Sequence, residues 1–336
     1  MKNTLLTSDK NFFKGNMHCH SIYSDGKLTP EELKNLFKSN GYSFLAITDH
    51  ENVYNHSYLD DEDFVTITST ELSIKEFPEQ SSLSNFKMKV CHLNLYAKKQ
   101  DNNLTVCYNK LYDHYNKCES KPVTRKLTEH YDRIYSSEGI NDIIKIANDN
   151  GFFVAYNHPR WSLENYAQYS KYEGLWGLEV INGAVHTSGL YDYNINVHDD
   201  FLRDGKRIFI SAGDDNHNQS RNDACYAFVC VNTEKPLSYD AVIDSLLKGD
   251  FYTSTGPKIE ELYVEDGKVH VKSSKAKAIY LTTVGRRHAN KTAPEGSYIT
   301  EAEFNIFPLD EYFRISVLDE HGNRADSQAY FISELN

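Results

Sequence analysis

The chain repeats one pattern of hydrophobic and polar positions: a short apolar run that carries, or ends in, histidine or an acidic residue. Apolar runs of this length, bounded by polar residues, predict buried β-strands. The runs are residues 42–47 before His50, 64–70 before Glu71, 88–96 with His92, 151–156 before His158, 175–181 with Glu179, and 207–212 before Asp215 and His217. The pattern therefore predicts strands that carry polar chemistry to one end of a sheet.

Segments with helical spacing lie between several of these runs. Residues 27–41 have Thr29 as an N-cap, Pro30 as the first helical residue and a glycine as the stop signal. Residues 140–150 and 191–205 are also predicted helices. Alternating strands and helices favour a parallel sheet, and closure into a β/α barrel would place the site at the C-terminal mouth.

The pattern changes in the C-terminal part of the chain. Residues 224–231 predict a strand and 238–248 an amphipathic helix, and short strands separated by turns follow. We therefore predict two domains, a barrel over residues 1–257 and a small all-β domain, a β-sandwich, over residues 258–336. The polar, tyrosine-rich segment 100–137 is predicted to be a partly helical insertion at the mouth of the barrel.

Nine histidine and carboxylate residues at or near the strand ends are candidate metal ligands. They are His18, His20, Asp25, His50, Glu71, His92, His158, Asp215 and His217. His18 and His20 are two residues apart, so in a strand both side chains can reach one ion. Nine donors exceed the three or four that one catalytic zinc ion takes, and they suit two to three divalent metal ions bridged by a carboxylate. The donor types accept Zn²⁺, Mn²⁺ or Fe²⁺.

Composition and charge narrow the class of protein. The net charge of the chain is −12, and the sequence has no basic stripe of the kind that binds nucleic-acid backbones. The N-terminal residues lack the apolar region of a signal peptide, and no apolar run reaches the length of a membrane span. Six scattered cysteines without a C-x-x-C pair are expected to be reduced thiols. We expect a cytoplasmic protein that binds neither membranes nor nucleic-acid polymers.

The order of the motifs resembles a known family. The motifs are H-x-H-x-x-x-x-D-G followed by T-P-E-E-L, then G-Y-x-F-L-A-I-T-D-H, a later Glu, an isolated His, N-H-P and G-D-D-N-H. Over about residues 14–257 they resemble the PHP family, named for polymerase and histidinol phosphatase. Two of them, G-N-M-H-C-H-S and N-H-P-R-W, are most similar to the stand-alone metallohydrolases of the CehA/McbA type. The resemblance implies a distorted (β/α)7 barrel with three metals at its mouth and a C-terminal β-domain.

The resemblance also implies a role for each candidate ligand. His18, His20, Glu71 and Asp215 would hold the first metal ion; Glu71 would bridge to a second ion held with His92 and His158; Asp25, His50 and His217 would hold the third. Glu71, Asp215 and His217 are expected to be catalytic.

Several neighbouring residues receive other interpretations. His56 is the nearest alternative to His92 and is interpreted as a loop histidine. Asp49 and Asp214 each precede a ligand and are interpreted as hydrogen-bond partners rather than ligands. Arg160 and Arg221 are candidate substrate-binding residues for an anion, and a surface salt bridge is an equally good interpretation of each.

Together these features predict a metal-dependent phosphoesterase that hydrolyses a small phosphate mono- or diester through a metal-bridging hydroxide. The same hydroxide can attack a carbonyl carbon, so hydrolysis of a carboxylic or carbamate ester, as in the CehA type, is the first alternative. The second alternative is a non-catalytic metal-binding module. That alternative predicts missing ligands, and none of the nine is missing. The expected partner is a small-molecule phosphate ester or another ester.

Overall fold

The computed structural model describes residues 2–77, 87–115, 118–119, 121–218 and 223–335. The chain divides into two compact units, Gly15–Ala227 and a second unit that combines Met1–Lys14 with Phe228–Asn336. The sequence analysis instead places the division at residue 257. The difference arises because strands between residues 228 and 254 pair with each other and with a C-terminal strand of the second unit. The hydrolase domain over residues 1–257 stays a prediction.

The described residues form a mixed α/β structure in which strands outnumber helices. The strands are β1 (Asn3–Leu6), β2 (Asn11–Asn16), β3 (Phe44–Ile47), β4 (Val65–Lys75), β5 (Val90–Ala97), β6 (Leu104–Thr105), β7 (Arg125–Lys126), β8 (Phe152–Tyr156), β9 (Gly177–Asn182), β10 (Phe209–Gly213), β11 (Phe228–Thr233), β12 (Phe251–Ser254), β13 (Ile259–Glu265), β14 (Lys268–Ala276), β15 (Ala278–Thr283), β16 (His288–Thr292), β17 (Ile299–Asn305), β18 (Tyr312–Leu318), β19 (Arg324–Ser327) and β20 (Tyr330–Phe331). The helices are α1 (Pro30–Ser39), α2 (Ser137–Asp149), α3 (Tyr166–Tyr169), α4 (Gly183–Val185), α5 (Ile195–Arg203) and α6 (Tyr239–Lys248). Among the described residues, none of these helices has the length and apolar character that a membrane crossing needs.

The unit Gly15–Ala227 contains a sheet with the strand order β10-β9-β8-β5-β4-β3-β2, to which β2 contributes its last two residues. The pairs β2/β3, β3/β4, β8/β9 and β9/β10 are parallel, as predicted. The prediction of a parallel sheet is wrong for β5, which is antiparallel to both β4 and β8. Lys75 at the end of β4 pairs with Val90 at the start of β5, so β5 runs alongside β4 in the opposite direction.

Helix α1 forms where the sequence places its capping signals. The Thr29 hydroxyl accepts from the backbone N–H of Glu32, and the Glu32 carboxylate accepts in return from the backbone N–H of Thr29. Leu33 and Phe37 are fully buried on the inner face of the helix. Burying a side chain of this size stabilises the fold by about 1.5–3 kcal/mol. Helices α2 and α5 confirm the predictions for residues 140–150 and 191–205.

The backbone segments that follow β2, β3 and β10 are joined to one another by hydrogen bonds. The N–H of Asp215 donates to the carbonyl of His18 at 2.7 Å, and the N–H of His20 donates to the carbonyl of Asn216 at 3.1 Å. On the other side, the N–H of Thr48 donates to the carbonyl of Cys19 at 2.8 Å. Three strand ends that are distant in sequence are therefore fixed side by side.

The second unit contains two antiparallel sheets that share one core. One sheet has the order β1-β13-β14-β17, and the other contains β11, β12, β19, β18, β15 and β16, with β20 paired to β18. Buried residues from both sheets, such as Leu262, Phe304 and Ile315, belong to one hydrophobic cluster. The β13/β14 hairpin turns at Asp266 and Gly267, which both have positive φ angles, as the Asp-Gly pair predicts.

Gly213 leaves room for the segment that carries His18. A Cβ atom at Gly213 would lie 2.4 Å from the Cβ of His18 and 2.8 Å from its backbone nitrogen. We expect Gly213→Ala to lower the free energy of unfolding by about 1–3 kcal/mol, because the backbone must move to relieve the contact. Thermal unfolding measures the change. Gly285→Ala is the control, since a Cβ there has no atom within 4 Å, and equal melting temperatures for both variants would contradict the prediction.

Candidate metal centre

The fold brings the nine predicted side chains together. Within the described part of the chain, their ligand atoms form three groups in which all atoms lie within 4.8 Å of one another. The groups are His18, His20, Glu71 and Asp215; Glu71, His92 and His158; and His20, Asp25, His50 and His217. Glu71 and His20 each belong to two groups. The third group contains His20 in addition to the three residues predicted for the third ion. The role of each residue as a ligand stays a prediction.

Glu71 lies at the centre of the cluster. It follows the apolar part of β4, and its side chain is almost completely buried. The shortest distances from its carboxylate oxygens to ring nitrogens are 3.3 Å for His18, 3.4 Å for His20, 3.3 Å for His50, 3.1 Å for His92 and 3.3 Å for His158. Burial alone would raise the pKa of Glu71, but the surrounding histidines hold it well below its usual range. The carboxylate is therefore ionised.

Asp215 is the second carboxylate of the cluster. Its Oδ1 lies 3.0 Å from Nε2 of His20 and 3.3 Å from Nε2 of His18. Burial would raise the pKa of Asp215, but His18 and His20 keep it well below the usual value. Asp215 and His158 both have positive φ angles, 51° and 27°. Residues other than glycine adopt positive φ angles at an energetic cost, and backbone strain of this kind is concentrated at functional sites.

Asp25 and His217 form the more exposed side of the cluster. Oδ1 of Asp25 lies 3.3 Å from Nε2 of His217 and 3.7 Å from Nε2 of His50. The side chains of Asp25 and His217 are 32% and 24% exposed, whereas that of His50 is 6% exposed. An approaching molecule therefore meets Asp25 and His217 first.

The donor atoms fit a group of divalent cations. Ligands bonded at about 2.0–2.1 Å in a tetrahedral arrangement are about 3.4 Å apart, and the Nε2 atoms of His18 and His20 are 3.3 Å apart. Two ionised carboxylates and several imidazoles buried together need compensating positive charge. Nitrogen and carboxylate donors are the ligands that Zn²⁺, Mn²⁺ and Fe²⁺ accept. The site therefore has the chemistry of a metal centre.

The second ring nitrogen of several histidines has its own partner. These partners are Glu179 Oε1 for His18 at 2.8 Å, Ser73 Oγ for His92 at 3.0 Å, Ser162 Oγ for His158 at 3.3 Å, and the carbonyl of Asp215 for His217 at 2.8 Å. A carbonyl only accepts, so Nδ1 of His217 carries the proton and its Nε2 is left to bind a metal. Partners of this kind fix the orientation of metal-binding rings.

Glu179, Asn157 and Asn182 form hydrogen bonds to the candidate ligands. The sequence analysis missed these roles. Oε2 of Glu179 accepts from the backbone N–H of His158 at 3.1 Å and from the Asn182 amide at 2.9 Å. The Asn182 amide also donates to Asp215 at 3.0 Å, and the Asn157 amide donates to Glu71 at 2.8 Å. An acidic residue inside the apolar run 175–181 was the available signal for Glu179.

Asp49 and Asp214 have different roles. Asp49 accepts from the backbone N–H of Ser21 at 2.8 Å and from the hydroxyl of Ser24 at 2.6 Å. The Ser24 hydroxyl oxygen also lies 3.4 Å from Nδ1 of His20. Asp49 therefore holds the loop that carries His20 and Asp25. Asp214 accepts from backbone N–H groups of residues 225–227 and from Asn16 at 2.8 Å. Its hydrogen bonds join chain segments instead of orienting a candidate ligand.

His56 lies outside the three groups. His56 begins a 3₁₀ turn, and its ring stacks on Tyr23 at 5.7 Å, whereas Nδ1 of His92 lies 3.1 Å from Glu71. Arg160 is exposed. Arg221 lies outside the described residues. Contact of either arginine with a substrate stays a prediction.

A cavity of about 330 Å³ adjoins the cluster. One wall consists of the candidate ligands Asp25, His50, Glu71, His92, His158, Asp215 and His217. The remaining lining residues are Trp161, Ala184, Val185, Ser188 and Leu190. A cavity of this size accommodates a small ligand.

Residues 16–211 match the family model of the PHP domain, which covers more than half of the chain. The chain belongs to the PHP domain family. This membership and the donor set support a metal-dependent hydrolase. A comparison with curated proteins found no match.

The solved structures similar to this PHP-domain protein include the following three. A two-domain protein from Bacteroides vulgatus ATCC 8482, with a proposed PHP-like metal-dependent phosphoesterase, is 14% identical, has a TM-score of 0.44, and matches 97% of this chain and 88% of its own. A proposed metal-dependent phosphoesterase from Bifidobacterium adolescentis ATCC 15703 is 14% identical, with a TM-score of 0.42 and coverages of 70% and 96%. An amidohydrolase from Chromobacterium violaceum, with bound sulfate and no metal, is 15% identical, with a TM-score of 0.39 and coverages of 61% and 88%. These TM-scores lie below 0.5, so the family assignment depends on the family model.

Arg133 ties the predicted insertion to the PHP domain. Its guanidinium pairs with Glu51 at 2.6 Å, and the side chains of both residues are fully buried. The same guanidinium donates to the backbone carbonyl of Ser73 at 2.8 Å. Ser73 in turn contacts Nε2 of His92, so the insertion supports a strand that carries a candidate ligand. Sequence reasoning missed Arg133, because no local motif surrounds it.

Removing a carboxylate from the cluster should release metal from this PHP domain. We expect Glu71→Gln and Asp215→Asn to stay soluble and to lower metal affinity by more than about 100-fold, because each removes a charged donor. Glu179→Gln is the matched control, for which a loss of about 10–100-fold is expected, as is typical of residues that orient ligands. Elemental analysis and metal titration of the purified variants measure the difference. Unchanged metal content in both ligand variants would refute the assignment.

Metal binding to the PHP domain should release protons. Burial would lower the pKa of His20, but hydrogen bonds to Asp215 and Glu71 raise it to about 10. The metal-free ring is therefore protonated at neutral pH, and a proton must leave before Nε2 binds a metal. Affinity for Zn²⁺ or Mn²⁺ should rise with pH, by about tenfold per unit for each proton released. Calorimetry in buffers of different ionisation enthalpy measures the protons, and a binding enthalpy independent of the buffer would contradict the prediction.

Proposed function

We propose that this PHP-domain protein is a metal-dependent phosphoesterase that acts on a small phosphate mono- or diester. The observation that carries the proposal is the cluster of nine nitrogen and carboxylate donors around Glu71, facing a cavity large enough for a small molecule. Phosphoryl transfer needs positive charge and positioning more than covalent chemistry from the protein. A cluster of divalent ions at the wall of a cavity supplies both.

We propose three ion positions and a barrel around them. The first ion would be held by His18, His20, Glu71 and Asp215, the second by Glu71, His92 and His158, and the third by Asp25, His50 and His217. The backbone hydrogen bonds between residues 18–20 and 215–216 support closure of the seven-stranded sheet into a distorted (β/α)7 barrel. A catalytic domain over residues 1–257, a C-terminal β-domain over residues 258–336 and a cytoplasmic location complete the proposal.

The bound ions would supply a water of lowered pKa and positive charge for the phosphoryl oxygens. The residues of the chain prepare the site for this chemistry. Glu71 and Asp215 are held ionised by the histidines around them, and so remain donors at neutral pH. His217 keeps its Nδ1 proton on the carbonyl of Asp215 and presents Nε2 at the exposed side of the cluster.

Hydrolysis of a carboxylic or carbamate ester is the second candidate. None of the described residues that line the cavity is a lysine or an arginine. Among the described lining residues, a dianionic phosphate monoester would therefore find no positive charge besides the metal ions, whereas a neutral ester needs less. A non-catalytic metal-binding module is a weaker alternative, because all nine donors are present and none is displaced from the cluster.

The phosphoesterase activity is tested with p-nitrophenyl phosphate, its bis-ester and a nucleotide panel, in the presence of Mn²⁺ or Zn²⁺. We expect turnover of at least one phosphate ester, its loss on chelation, and its loss in Asp215→Asn, which controls for contaminating phosphatases. The same preparation is assayed with p-nitrophenyl acetate. Faster turnover of the acetate would favour the carboxylic ester hydrolase. Metal-loaded protein that turns over none of the phosphate esters would exclude the phosphoesterase.

A further inference from the structure

The residues that line the cavity beside the candidate metal centre are of two kinds. The lining residues other than the candidate ligands, called here the apolar wall, are Trp161, Ala184, Val185, Ser188 and Leu190. Trp161 and Leu190 each expose 43% of their surface. Large apolar side chains that remain exposed inside a cavity leave surface for an apolar part of a ligand.

Trp161 lies directly against the candidate ligands of the second ion. The centroid of its ring is 5.2 Å from that of His92 and 5.0 Å from that of His158. The N–H of the next residue, Ser162, donates to the carbonyl of His158 at 3.1 Å, which fixes the chain on either side of the indole. A group bonded directly to the ester oxygen would therefore reach Trp161, whereas a group several bonds away would lie beyond it.

The rest of the apolar wall is fixed to the same centre. The Asn182 side chain accepts from the N–H of Val185 at 3.0 Å and donates to Asp215 at 3.0 Å. The N–H of Ala184 donates to the carbonyl of Asp214 at 2.7 Å. These bonds hold Ala184 and Val185 beside Asp215, so a ligand group in the cavity meets a surface that is already formed there.

The apolar wall offers few partners for a sugar or a glycerol group. Ser188 supplies its one side-chain hydroxyl among the described residues, and no lysine or arginine is present among them. We propose that the substrates are aryl esters, in which an aromatic ring is bonded directly to the ester oxygen and packs against Trp161 and Leu190. The flat indole suits an aromatic ring better than a flexible alkyl chain.

This inference rests on the proposed phosphoesterase function and adds the substrate class. In hydrolysis, the bond between phosphorus and the aryl oxygen breaks and the oxygen of water takes its place on phosphorus. The aryl group leaves as a phenol with a proton from that water. The other product is inorganic phosphate from a monoester, or a phosphate monoester from a diester. The residues of the apolar wall bind the leaving ring and take no part in the proton transfer.

The test compares the binding of phenylphosphonate and methylphosphonate to the full-length, metal-loaded protein by calorimetry. Both probes carry the same phosphonate group and neither is hydrolysed, so the ratio of their dissociation constants reports the apolar wall alone. We expect phenylphosphonate to bind about tenfold more tightly, the effect of burying part of one aromatic ring.

Variants locate the effect. Trp161→Ala should reduce the ratio to about twofold or less, whereas Trp161→Phe should keep most of the ratio. Leu190→Ala should reduce the ratio without altering a residue that touches the candidate ligands. Leu163→Ala is the matched control, because Leu163 is 46% exposed, lies two residues from Trp161 and is absent from the cavity wall.

Two results would overturn the inference, and they are distinguishable. Equal affinity for the two phosphonates, or a ratio that survives both Trp161→Ala and Leu190→Ala, would refute the aryl group while the metal centre still bound a phosphonate. Failure of metal-loaded protein to bind either phosphonate would refute the phosphoesterase proposal, and the substrate class with it.

Discussion

The Glu71 carboxylate lies with its oxygens 3.1–3.4 Å from ring nitrogens of five histidines, away from water. An ionised carboxylate in such surroundings is unfavourable by several kcal/mol unless positive charge accompanies it. In the metal-free protein, protons on His18 and His20 supply part of that charge. Bound cations would supply more, which explains why the fold can place so many donors around one buried side chain.

Residues outside the cluster hold the donors in place. Glu179 contacts His18 through one oxygen and the backbone of His158 through the other, so one carboxylate orients two candidate ligands. Asn182 joins Glu179 to Asp215. The positive φ angles of His158 and Asp215 need this support, because residues in that region return to ordinary conformations when their surroundings permit. The positions of the candidate ligands therefore depend on the hydrogen bonds of Glu179 and Asn182, and not on the candidate ligands alone.

The cavity combines this polar centre with an apolar wall. Asn182 contacts both, since its side chain donates to Asp215 and accepts from the backbone of Val185. The charge of the candidate metal ligands and their ions would act on the ester group. Trp161 and Leu190 would contact the group attached to the ester. No lysine or arginine is present among the described residues that line the cavity, so the apolar wall carries no positive charge.

Local sequence patterns determined a large part of this structure. Apolar runs predicted β3, β4, β8 and β10 with their polar ends, Thr29 and Glu32 predicted the start of α1, and all nine candidate ligands were identified before their positions were known. Tertiary structure alone decided the antiparallel direction of β5, the partnership of Glu179 with His18 and the anchoring of Arg133 to Glu51. The reason is physical: apolar periodicity and helix caps depend on neighbours a few residues away. Strand direction, the pairing of buried charges and the wall that faces a substrate depend on contacts between residues distant in the chain.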